Sequence, residues 1–276
     1  MLGPTILART MSVATLRGSS GRSWQYHSRS DHHSKVACWC VLFDLLRACD
    51  VFRAAVANGK LAFGINHVMV GPINKTLDLV VTRLAPSAAA SAGTCLADWA
   101  DRWSIVLTES ERELLRAMPA FPEDRAEHMS EVAIALEAKA CMTEHVKSLP
   151  RLHAEILATG FLAKQAAPHC IGVAYVLVNA ASSFVTPSGQ GKTNQHHQPD
   201  DARKVVDMID RAIPLAQGPR DFGYDVLGVT VVDCGNDGSP VRVVELPTIG
   251  PTAQHQLHYT RMINNLCAQY RARFGA

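Results

Sequence analysis

The sequence predicts an α/β layer protein. Three strand-like segments follow one helical segment in close succession. A second helix and a fourth, strongly apolar strand come next. Further helical segments bracket the group, so a sheet covered on its faces is the arrangement that buries them. Composition permits it: 47% of the 276 residues are apolar and 19% charged, enough for a sizeable core and too apolar for a disordered chain.

Residues 1–30 contain no Asp or Glu but carry Arg9, Arg17, Arg22 and Arg29 among several serines. They read as a disordered basic leader, or as an upstream start ahead of Met11; a mitochondrial transit peptide has the same composition. Residues 31–276 read as a single domain. From Ser34 to Ala57, Val36, Cys40, Phe43, Leu46 and Val51 recur at helical spacing, and Asn58-Gly59 ends the run. Leu61–Val70 and Lys75–Leu84 read as strands, stopped by Gly71-Pro72 and Ala85-Pro86. A helical insertion, about 86–130, follows. It opens on an Ala/Ser-rich connection, and its helical part, Cys95–Met118, holds a capping box at Thr108 and Glu111.

Glu131–Ala140 is the third strand. Thr143–Ala158 is a helix kinked at Pro150, and His169–Ala180 is the fourth strand. This makes a helix–strand–strand–strand–helix–strand core over about 31–181. The C-terminal extension, 182–276, adds a polar loop (Pro187–Pro199), a helix (Asp200–Leu215), a strand (Asp225–Asp233), a turn at Asn236-Asp237-Gly238, a return strand (Val241–Leu246) and a helix (His258–Phe274). The eight cysteines are scattered through apolar contexts and read as buried free thiols of a reducing, cytoplasmic compartment. No apolar run reaches the length of a membrane span.

The chemistry concentrates on the third strand, Val132-Ala-Ile-Ala-Leu-Glu137-Ala-Lys139. Alternation puts Glu137 and Lys139 on one face with Ala133 and Ala135, and turns Val132, Ile134 and Leu136 to the core. A carboxylate and an ammonium at the end of such a strand are costly unless paired or liganded. Asp78, between Leu77 and Leu79 on the second strand, is a third charge in an apolar setting. If the strands are neighbours, Asp78 and Glu137 converge, and their repulsion is relieved by a hard divalent cation, Mg²⁺ with Mn²⁺ as a substitute. The Ala138 carbonyl is a candidate third ligand. Such a cation polarises a scissile phosphate and acidifies a water; Lys139 orients that water or stabilises the charge building on the phosphate.

Asp78 followed by Glu137-Ala138-Lys139 on consecutive strands of this element order resembles the PD-(D/E)XK, or restriction-endonuclease-like, nuclease superfamily. The stretch from Glu137 to Glu155 also resembles uncharacterised bacterial proteins predicted to have that fold. The resemblance implies a mixed central sheet flanked by helices, metal ligands at Asp78 and Glu137, and a catalytic lysine at Lys139. It departs from the pattern at Leu77, where the motif's name has proline, and in the long insertion between the second and third strands. The function it implies is a Mg²⁺-dependent endonuclease acting on double-stranded DNA, a type II restriction or genome-defence nuclease. Such an enzyme would act as a homodimer, with a cognate DNA methyltransferase encoded nearby. A recombination or repair nuclease of the same fold, or a non-catalytic DNA-binding subunit that keeps it, are the rivals.

Lys147, Arg151 and His153, with His145, follow the catalytic strand and are candidate DNA contacts; Arg29 and Lys35, with His32 and His33, stand at the start of the first helix and are further ones. A basic solvated face accounts for the first group equally well, and a polar helix cap accounts better for the second. Ile263, Leu266, Tyr270 and Phe274 form a stripe on the last helix that would serve a dimer interface or the core. Gly189-Gln190-Gly191-Lys192-Thr193 tempts a P-loop reading but lacks a glycine at Thr186 and a helix starting at the lysine. Cys38 and Cys40 point apart on a helix, so a zinc site there is rejected.

Overall fold

The computed structural model describes the whole chain except residues 18–20, 72, 85–93, 124–128, 188–190, 217–220 and 276, and the side chains of Met129 and Ser130. The chain is an α/β protein built on a six-stranded mixed sheet. Its strands are β3 (Leu61–Met69), β4 (Lys75–Leu84), β5 (Met129–Cys141), β6 (Ile171–Asn179), β9 (Val226–Asp233) and β10 (Arg242–Val243), in the order β10-β9-β6-β5-β4-β3. β3, β4 and β5 form an antiparallel meander, β5, β6 and β9 run parallel, and β10 returns antiparallel to β9.

Helices cover both faces. On one lie α1 (Gly3–Met11), α2 (His32–Ala48), α3 (Asp50–Ala57) and α8 (Tyr259–Phe274), packed on Ile134 and Leu136 of β5 and on Val173 and Tyr175 of β6. On the other lie α6 (His145–Ala166) and α7 (Asp200–Ala212), packed on Ala174 and Val176 of β6 and on Val229 and Val231 of β9. The expected helix–strand–strand–strand–helix–strand order is present from α2 to β6. β9 lies beside β6 in the same sheet, so the segment after 181 completes the core. In the insertion, α4 (Leu96–Arg102) and α5 (Glu109–Arg116) replace one helix, and the Thr108–Glu111 capping box forms. The described part of the insertion packs on the body of the fold: Trp39 Nε1 donates to Leu96 O at 2.8 Å, and Phe121 packs on Phe63 with ring centroids 5.1 Å apart. Two small sheets, β1 (Leu16–Arg17) with β2 (Ser23–Trp24) and β7 (Ser183–Val185) with β8 (Thr193–Gln195), lie outside the central one.

Several expectations are corrected. The first thirty residues are not a disordered leader where they are described. α1 buries Ile6, Leu7 and Met11, and the fully buried Asp44 of α2 caps its start, accepting from the Leu2 N–H (3.0 Å) and the Gly3 N–H (2.7 Å). A carboxylate at a helix N-terminus contributes up to about 2 kcal/mol when partly buried. The predicted helix over 34–57 is two helices, because Cys49 is extended (φ −115°, ψ 100°) and joined by a disulfide to Cys267 on α8. Those two cysteines are therefore not the free thiols expected of them; the other six are free.

α6 runs on past Ala158 to Ala166. Gly160 does not end it; a Cβ there would stand 2.7 Å from Tyr224 Cε2, so the glycine admits the tyrosine ring, whose hydroxyl donates to Ile156 O at 2.8 Å. The stripe on α8 is core: Ile263, Leu266 and Tyr270 are buried, so they are not free to form a dimer interface. Among the described residues, no helix is long and apolar enough to cross a membrane.

Candidate active site

β5 carries the site because a bulge sets its phase. The β4–β5 ladder pairs Val81 with Ile134 and Thr82 with Val132, leaving Ala133 as an extra residue. Ala133 therefore joins the core on the α2 side and does not share a face with Glu137 as strict alternation predicts. Downstream of it, Ile134, Leu136 and Ala138 face α2, while Ala135 and Cys141 pack on the α6 side. Glu137 and Lys139 follow that second phase and face α6.

β4 leaves β5 at the Leu79–Leu136 pair. At that point the β3–β4 ladder skips the Asn66–Asp78 pair without changing register, and Asn66 is in the left-handed region (φ 51°). Asp78 sits at this gap, and its Oδ2 accepts the Ala138 N–H at 2.8 Å. The aspartate thus binds the residue between Glu137 and Lys139.

Glu137 is 3% exposed. Its Oε1 accepts from Lys139 Nζ at 2.7 Å and from Lys75 Nζ at 3.2 Å. Its Oε2 is buried with no partner. Lys139 Nζ also lies 3.5 Å from Glu155 Oε2 on α6, and Arg151 Nε lies 3.5 Å from Glu155 Oε1.

The electrostatics follow from this crowding. Burial, and then the Glu137 carboxylate, push Asp78 up to about 6, against the pull of the Ala138 N–H, Lys139 and Ser34. Burial alone would lower Lys139, but Glu137, Glu155 and Asp78 together hold it above its ordinary value. Burial lowers His33 to about 4, with smaller contributions from His32 and Lys139; its Nδ1 is buried without a partner. Burial raises the Cys38 thiol, and the Asp78 and Glu137 charges add to it. These shifts place the start of α2 within electrostatic reach of the two strands.

Asp78, Glu137 and Lys139 are brought together; the candidate DNA contacts are not equally free. Lys147 and Arg151 project into solvent, each side chain 79% exposed and loosely paired with a glutamate. Arg29 is exposed as well. His153 bonds Ala212 O at 3.1 Å, at the end of α7. Lys35 is committed to Asp31 at 2.6 Å and to the Trp103 ring at 3.8 Å. His153 and Lys35 each already have a partner inside the protein. Gly189 and Gln190 lie outside the described residues; Thr193 begins the short strand β8, not a helix, so no P-loop follows there. Sequence reasoning does not find Lys75 or Glu155. Lys75 carries no signal beyond its place at a strand start, and Glu155 none beyond its place on the helix that follows Lys139.

Two features fit a hard divalent cation. The bare Oε2 of Glu137 is an orphaned buried carboxylate oxygen. Burial and the neighbouring Glu137 carboxylate raise Asp78 to about 6, a penalty that a cation would relieve. Among the described residues no three His, Cys, Asp or Glu side chains cluster to hold a metal, so a cation here would rest on two carboxylates, with the Ala138 carbonyl and water completing its shell. No protein-family model, curated protein or solved structure matches the chain.

Proposed function

We propose that the chain is a Mg²⁺-dependent endonuclease of the PD-(D/E)XK type that hydrolyses phosphodiester bonds in DNA. One observation carries the reading: a buried glutamate with one unpartnered oxygen stands beside a lysine and a second carboxylate on adjoining strands. The order of elements from α2 to β6 supports it.

In the reaction, a water oxygen adds to phosphorus in line and the P–O bond opposite breaks. The water gives up a proton, and the leaving oxygen takes one. Mg²⁺ would polarise the phosphate and lower the pKa of the water. Asp78 and Glu137 would hold the ion. Lys139, kept protonated by Glu137 and Glu155, would orient the water or stabilise charge on the phosphate. Double-strand cutting would take two copies of the chain. A cytoplasmic location goes with this reading; the six free cysteines fit it, and the Cys49–Cys267 disulfide runs against it.

The test is plasmid cleavage with Mg²⁺, comparing wild type with Asp78→Ala and Lys139→Ala. Loss in both variants is expected; cleavage unchanged in both eliminates the site. Discrete fragments would indicate a restriction enzyme rather than a repair nuclease. DNA binding with no cleavage of any DNA form would favour a non-catalytic subunit.

A further inference from the structure

Glu137 Oε1 accepts from two ammonium groups while Oε2 accepts from none. One lysine suffices to balance that oxygen, so the second is surplus to the resting arrangement. Lys139 makes the shorter contact, at 2.7 Å, and is also held by Glu155. Lys75 makes the longer one, at 3.2 Å, and among the described residues Glu137 is its ion-pair partner. Its side chain is 27% exposed, so a ligand can reach it. It stands at the start of β4, three residues before Asp78, on the part of the hairpin that has left β5. Lys75 therefore reaches Glu137 from the hairpin, and Lys139 reaches it from the sheet.

We propose that Lys75 is a second phosphate-binding residue of this site, turning from Glu137 to a non-bridging oxygen of the DNA backbone when a divalent cation takes up the glutamate. This rests on the nuclease reading. A lysine is a compact point charge on a flexible stem, suited to follow a phosphate without reading a base. The contact would be independent of sequence.

The experiment measures duplex DNA binding by fluorescence anisotropy in Ca²⁺ over a range of salt, beside Mg²⁺-dependent cleavage, for wild type, Lys75→Met and Lys75→Arg. Lys75→Met keeps the apolar stem and removes the charge. It should flatten the dependence of log affinity on log salt by about one unit, equally for unrelated sequences. It should also slow cleavage by about a hundredfold. Lys75→Arg should restore the salt slope, and thermal melting should be the same in all three proteins. Slower cleavage with an unchanged slope would make Lys75 a prop for Glu137 and overturn the proposal. Cleavage and slope both unchanged would overturn it and leave the nuclease reading standing. A wild-type protein that neither binds nor cuts DNA would sink both.

Discussion

Asp225, just before β9, and Glu137, near the end of β5, are both carboxylates buried in the same fold, each beside two cations. Around Asp225 both oxygens are engaged. Oδ2 accepts from Lys164 Nζ and from the Gly172 N–H at 2.7 Å, and Oδ1 accepts from Arg273. Lys164 and Arg273 both go on to donate to Cys170 O, at 2.7 and 2.9 Å. Around Glu137 the cations share one oxygen, the other is bare, and a second carboxylate crowds in. A closed cluster ties β6, β9, α6 and α8 together. The cluster around Glu137 leaves one buried carboxylate oxygen without a partner, the place where the proposed cation would sit.

The largest effect is expected from opening the closed cluster. Asp225→Ala leaves Lys164 buried without its counter-charge and should destabilise the fold by about 3–5 kcal/mol in urea unfolding at pH 7. Lys139→Ala should do the reverse: little change in stability, with cleavage slowed by about a hundred- to a thousandfold. Equal loss of stability in both variants would erase the distinction.

A smaller effect lies in pH. Asp78 has a folded pKa of about 6, above its ordinary 3.8, so between these values the folded state binds more protons than the unfolded. Its contribution to stability is therefore lost as pH rises from about 4 to about 6. Asp78→Asn should remove that decline, and Mg²⁺ should offset it at pH 7 in wild type but not in the variant; melting curves at pH 4.5 and 7 read both. Smallest of all, Lys147→Ala and Arg151→Ala should each weaken DNA binding slightly and flatten its salt slope by about one unit. Lys35→Ala should change melting without changing that slope, because its ammonium is already placed on Trp103 and Asp31.

What is legible in the sequence is what depends on neighbours along the chain. The alternation of β5 puts Glu137 and Lys139 on one face, and an aspartate among leucines marks Asp78. Features set by distant partners are not legible. The cap of α1 comes from Asp44, the room beside Gly160 belongs to Tyr224, and the break at Cys49 faces Cys267. Lys75 reaches Glu137 across 62 positions of chain, from the part of β4 that no longer pairs with β5. The contact of His153 with Ala212 O is not legible either, because that acceptor is on another helix.

The extra residue at Ala133 divides β5 into two lengths with separate duties. The downstream length is keyed to β6 from Ile134 to Cys141 and carries the charged pair; the upstream length is keyed to β4 alone. Because the extra residue is taken up before Ile134, the pairing of Ile134–Cys141 with β6 runs unbroken whatever phase the strand has upstream.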